Sequence, residues 1–197
     1  MRESTRDYLP AAGRDLFLPL YDPIVKLLGG DGARKQLLAQ AGIGSTDRVF
    51  DLGCGTGTLD VAIKKQFSQA EVVGLDPDPK SLARARKKAA RAALAIQFDQ
   101  GFGDQLPYPA ASFDRALSSF MFHPLPSEEK LKTLREVLRI LKPGGEFHMA
   151  DFEGPEDHKR GFVEHLLFSH AHLKENSAAN LKVRIAAFER LIDCGNG

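Results

Sequence analysis

The 197-residue chain has no tryptophan, two cysteines and three tyrosines, and no uninterrupted apolar run near the roughly 20 residues of a membrane span. Each shortage removes a class of protein. Cys54 and Cys194 stand far apart without a CxxC partner, so neither a disulfide framework nor a zinc knuckle is on offer. An excess of one charge is also missing. With 27 Lys and Arg against 26 Asp and Glu, the formal net charge is +1, which argues against work done by bulk neutralisation of phosphate or anionic lipid. The opening segment MRESTRDYLPAAGRD is studded with charge and offers no apolar stretch resembling a secretion signal, so a cytoplasmic location is expected. What is present is ordinary globular material, 43% apolar and 27% charged, enough for one domain or one domain with a small appendage.

Short β-rich runs alternate with helical stretches, the pattern of a parallel sheet covered by helices. Residues 1–46 read as a helical leader or lid, with Leu27-Leu28 and Leu37-Leu38 as apolar anchors and Gly29-Gly30 as a break. The domain proper is expected over 47–197. Its strands are expected at 48–52, 71–75, 95–98, 113–118 and 146–152, and its helices at about 57–67, 79–93 and from Ser127 onward. Asp78 is placed to cap the second of these helices and Ser127 the third. Leu131, Leu134, Leu138 and Leu141 have the spacing of one buried stripe on the third helix, which Lys142-Pro143-Gly144-Gly145 then stops. Further helices are expected over 155–174 and 178–192.

The most informative segment is VFDLGCGTG, residues 49–57. A strand feeding a glycine-rich turn that opens a helix lets a ligand approach main-chain N–H groups closely, because no Cβ intervenes. Gly53, Gly55 and Gly57 make GxGxG, whereas the dinucleotide fingerprint GxGxxG wants its third glycine at 58, where Thr58 stands. A plain strand-to-helix turn would give the same pattern. Asp76, at the end of the second strand, is placed to accept hydrogen bonds from a ribose diol, and Asp104 follows the third strand on the same rim. Ligands of open α/β sheets sit outside the carboxyl ends of the strands, and all these residues fall there.

At these residues the sequence resembles the class I S-adenosylmethionine-dependent methyltransferases, most closely the small-molecule branch that includes the ubiquinone/menaquinone C-methyltransferases. The resemblance covers roughly 21–152 and rests on four ordered blocks: YDPIVKLL, VFDLGCGTG, VVGLDPDP with GDQLPYPAASFD, and LRILKPGGEF. It implies a Rossmann-like doubly wound sheet of order 3-2-1-4-5. It also implies that Asp51, Gly53, Gly55 and Gly57 hold the methionine end of S-adenosylmethionine and that Asp76 binds the ribose. Asp104, Gln105 and the neighbouring backbone would face the adenine. Tyr21 could close over the cofactor as similar tyrosines do in relatives, or pack in the core. S-adenosylhomocysteine would be the product.

Methyl transfer from a sulfonium is an in-line displacement with an activated leaving group, so alignment is the protein's main task. The segment Ser118-Ser119-Phe120-Met121-Phe122-His123-Pro124 would form a wall beside the sulfonium, and His123 is the candidate base, with a structural histidine as the plainer alternative. Asp151 and Glu153 are further candidates whose simplest reading is a solvated strand end. The segment lacks the DPPY or NPPY of enzymes that methylate amino groups of nucleic-acid bases, which leaves C-, O- or other N-methylation of a small acceptor. Two features tempt other readings. Lys80, Arg84, Arg86, Lys87, Lys88 and Arg91 cluster on one helix, but without interleaved aromatics a nucleic-acid role is disfavoured against a solvated face. His158, His165, His170 and His172 do not share one helical face with a completing ligand, so no metal is expected.

Two alternatives stay open at this stage: a cofactor-binding scaffold or catalytically incomplete relative, and a nicotinamide-dependent oxidoreductase. The 45 residues after Phe152 are almost used up by two helices, so the usual antiparallel strands 6 and 7 of the family are expected to be missing. The fifth strand would then be an unpaired edge, one that a helix, solvent or a homodimer partner could cover.

Overall fold

The computed structural model describes residues 30–151 and 179–184. Tyr21, Glu153, His158, His165, His170, His172, Cys194 and the expected helix over 155–174 lie outside them. The elements run α1 (Gly30–Gln40), β1 (Arg48–Leu52), α2 (Thr58–Gln66), β2 (Glu71–Asp76), α3 (Pro79–Arg91), β3 (Gln97–Gln100), β4 (Phe113–Ser119), α4 (Ser127–Ile140), β5 (Leu141–Asp151) and β6 (Ala179–Arg184). They form one sheet of order β3-β2-β1-β4-β5-β6. The first five strands are parallel, as the sequence suggests.

The sixth strand corrects the expectation of a bare β5 edge and of a helix over 178–192. β6 pairs antiparallel with β5, with Met149 opposite Leu181 and Phe147 opposite Val183. The segment ANLKVR alternates apolar with polar residues, a period of two that its alanine-rich surroundings hide. An open edge of unpaired backbone groups on β5 supplies the partner that selects this reading. The reason for expecting a dimer at that edge therefore falls away. No seventh strand lies among the described residues.

Alternation along the strands sorts the core into two layers. Phe50, Val73, Ala116 and Phe147 meet Val137 and Ile140 of α4 on one face. Val49, Val72 and Leu117 meet Leu37 and Leu38 of α1 and Leu59 and Ile63 of α2 on the other. Burying side chains of this size stabilises by about 1.5–3 kcal/mol each, which fixes the helices against the sheet. On α4 the buried positions are Thr133, Val137 and Ile140, while Leu131 is the exposed member of the expected leucine stripe. Ser127 is the first residue of α4, not its cap, and Pro126 stands at the cap position.

Asp78 caps α3 as expected, accepting from the N–H of Lys80 and Ser81 at 2.9 and 3.2 Å. At the other end of α3 the N–H of Ala93 donates to Ala90 and that of Leu94 to Ala89, with Ala93 at φ 52°. This left-handed closure consumes residues up to 94 and delays β3 by two residues relative to expectation. Between α4 and the main run of β5 the chain makes an excursion through Lys142–Gly145, so that Phe113 pairs Leu141 while Arg115 pairs Glu146. Among the described residues no helix is long and apolar enough to cross a membrane.

Candidate functional site

The turn after β1 is stapled to the end of β2. The N–H groups of Gly53 and Cys54 both donate to the Leu75 carbonyl, at 2.9 and 3.1 Å, and the N–H of Gly55 donates to Asp76 Oδ2 at 2.9 Å. All three glycines lie in the left-handed region, with φ of 72°, 53° and 74°. Their bare α-carbons serve different ends. A Cβ on Gly57 would stand 2.8 Å from Ala85 Cβ, so this glycine lets α3 approach the turn. A Cβ on Gly53 would run into Met121. At Gly55 it would meet nothing within 4 Å, which leaves the main chain open to a ligand. Arg34, Thr56, Thr58 and Ser119 bound the cleft at this point.

Asp76 does more than end a strand. Its Oδ1 accepts from the N–H of Asp78 at 2.9 Å, and its carbonyl accepts from the N–H of Gly101 at 3.3 Å. The loop carrying Asp104 and Gln105 is thereby moored beside Asp76, with Asp104 half-buried and Gln105 exposed. Burial pushes the Asp76 carboxyl up to about 6, against the two N–H groups that hold it down. Asp51 is buried completely and stands opposite Gly74 in the β1–β2 ladder. Its carboxyl is pushed up to about 7 by burial first. The Cys54 thiol is pushed well up by burial and by the neighbouring acids, so it is no ready nucleophile and serves as a small buried filler of the turn.

Beyond β4 the chain turns through Phe120, whose φ is 60°, a costly conformation for an aromatic residue. Arg34 lies over the Phe120 ring, 5.8 Å from its centre. Asp151, at the end of β5, holds the following residues: one oxygen accepts from the N–H of Phe122 and of His123 at 2.7 and 2.9 Å, and the other meets His123 Nδ1 at 2.8 Å. Asp151 is only 8% exposed. The reading of it as a solvated strand end is thus corrected: three donors from one turn require a buried acceptor there. The sequence brings Asp51, Gly53, Gly55, Gly57, Asp76, Asp104 and His123 to the same carboxyl rim of the sheet, and Tyr21 lies outside the described residues.

Three participants escape sequence reading. Asp60 is a fully buried carboxylate inside the apolar run of α2, a charge on a core face that the composition of TLDVAIKKQ does carry as a signal. Lys88 reaches out of the supposed solvated cluster on α3 to the hydroxyls of Thr56 and Thr58, at 3.1 and 2.7 Å. Arg86 donates to the Phe98 carbonyl at 2.7 Å. Among the described residues no group of three or more His, Cys, Asp or Glu could hold a metal ion.

Residues 49–145 match the family model described as a methyltransferase domain. The chain is 37% identical over 155 residues to a demethylmenaquinone methyltransferase of Deinococcus radiodurans, covering 77% of this chain and 64% of that protein. To a demethylmenaquinone methyltransferase of Thermus thermophilus it is 35% identical over 153 residues, covering 76% and 69% respectively. The chain therefore spans about two thirds of the length of these relatives. Among solved structures, the YcgJ protein of Bacillus subtilis superposes with a TM-score of 0.59 at 28% identity, covering 64% of this chain and 53% of that one.

Proposed function

The chain belongs to the class I S-adenosylmethionine-dependent methyltransferases, and from that premise we propose that it methylates a small acceptor of the demethylmenaquinone kind. The observation that carries this reading is the stapled glycine turn with Gly55 bare towards the cleft and Asp76 beside it. When bound, S-adenosylmethionine supplies a methyl group on an already activated sulfonium. Asp51 and the Gly53–Gly57 turn would hold its methionine end, Asp76 its ribose, and Asp104 and Gln105 with their backbone its adenine. Met121, an unbranched and adaptable side chain lying on Gly53, yields to make room. Residues 1–46 serve as a leader whose α1 packs on the sheet through Leu37 and Leu38 and offers Arg34 to the cleft, and 47–197 form the catalytic domain.

His123 serves as the base in this reading. With Nδ1 turned to Asp151, the neutral ring carries its basic lone pair on Nε2, suited to taking a hydroxyl proton from a quinol so that its ring carbon becomes nucleophilic. Asp151 is then a positioning residue that sets both the tautomer and the turn. The family membership takes the place of the nicotinamide alternative. Incubation with methyl-labelled S-adenosylmethionine and a panel of reduced quinones should move label to an acceptor. Cofactor binding without transfer to any acceptor would favour the scaffold reading instead. His123→Gln should lower the rate by about 10²–10⁴ at unchanged S-adenosylhomocysteine affinity. Asp151→Asn should displace the acidic limb of the pH profile, where a base is protonated and idle; an unmoved profile in both variants would remove His123 from the reaction.

A further inference from the structure

The cofactor reading gives Asp51 a role but leaves its buried neighbour Asp60 unexplained. Both are fully buried, one on β1 and one on α2, and they meet at Gly74. Asp51 faces Gly74 across the ladder, while Asp60 Oδ1 occupies the space where a Gly74 side chain would be, 2.7 Å from that missing Cβ. None of their four oxygens receives a donor in hydrogen-bonding geometry. Two bare carboxylates side by side in a dry site repel each other and are unsolvated, whereas one proton between them turns one into a donor for the other.

The surrounding charges do not remove this need. Arg34 draws on Asp51 from α1 and Lys88 on Asp60 from α3, and burial outweighs both. Asp76 at the end of β2 adds negative charge, and the Cys54 thiol is neutral. Burial and the mutual repulsion both raise the proton affinity of Asp60, and the Asp51 carboxyl is raised to about 7.

We propose that Asp51 and Asp60 hold one proton between them in the free protein and release it when a ligand carrying an ammonium group docks on the glycine turn. The ligand half of this statement rests on the cofactor reading above. The balance is simple: the pair goes from one negative charge to two as the ligand brings a positive charge to its edge, and the proton passes to solvent. Asp60 thereby makes ligand affinity depend on pH, rising by up to about tenfold per pH unit while the free protein retains the proton.

Calorimetry of S-adenosylhomocysteine binding at neutral pH, in buffers of different ionisation enthalpy, counts the protons. The expected result is about one proton released by the wild-type protein and about none by Asp60→Asn, whose amide would donate to Asp51 in the proton's place. Tight binding with no proton released, or the same count in the variant, would overturn the proposal while leaving the cofactor reading intact. Failure of S-adenosylhomocysteine to bind would overturn the release step together with that reading. The shared proton itself is read without ligand or variant, by carboxyl ¹³C titration of the wild-type protein. Two coupled aspartate resonances titrating near neutrality support the pair, and full ionisation of both by about pH 5 would overturn it.

Discussion

Gly55 and Gly57 have nearly the same backbone strain but opposite surroundings, and substitution should separate them. Gly57→Ala places a methyl group 2.8 Å from Ala85 Cβ and 3.1 Å from the Phe98 ring on top of a φ of 74°. It should cost about 2–4 kcal/mol in urea denaturation. Gly55→Ala meets no neighbour and carries only the left-handed penalty of about 1–2 kcal/mol, yet it stands where a ligand would approach the main chain. Titration with S-adenosylhomocysteine should therefore show Gly55→Ala losing affinity out of proportion to its stability. These roles of the turn were open to sequence reading because glycine spacing and strand ends are local. Asp60 was not, because nothing within α2 says that Asp51 and Gly74 stand across from it.

At the scale of elements, the parallel strands were legible where punctuation is strong: the prolines at 77 and 79 end β2, and the glycines after Leu52 end β1. Packing directions were less so. The leucine stripe expected on α4 holds at Leu134, which packs on the core, and at Leu141, which is buried, but not at Leu131, since only the sheet decides how far along the helix a stripe is covered. Ile140→Ala should cost about 2–5 kcal/mol, against less than about 0.5 kcal/mol for Leu131→Ala, which is 47% exposed. Equal losses in thermal or urea melts would return Leu131 to the buried stripe. β6 escaped for a related reason: a six-residue alternation carries little weight until another strand's backbone is there to receive it.

For the molecule as a whole, the acids at the rim set a pH dependence of unusual sign. Asp51 and Asp76 are raised to about 7 and about 6, so the folded state binds their protons more tightly than the unfolded chain does. Their stabilising contribution is complete below about pH 4 and is lost as pH rises through about 6 and 7. Glu136, held low by Arg139, and Asp114, where Lys142 outweighs the upward push of burial, act the other way, but only as pH falls into the acidic range. Denaturation midpoints should fall between about pH 5 and 7, and Asp60→Asn should flatten that decline. Stability rising steadily across the same interval would contradict it. The antiparallel pairing of β6 on β5 also bears on synthesis. At about 5–20 residues per second, a few seconds separate the emergence of Asp151 from that of Ala179. Throughout that interval the nascent chain displays the backbone of β5 as a template for any other extended segment nearby. A chain ending at residue 178 makes the interval permanent, and sedimentation should find it more self-associated than the 197-residue chain. Among the described strands β6 thus arrives last, and its arrival ends the exposure of β5 in time as well as in space.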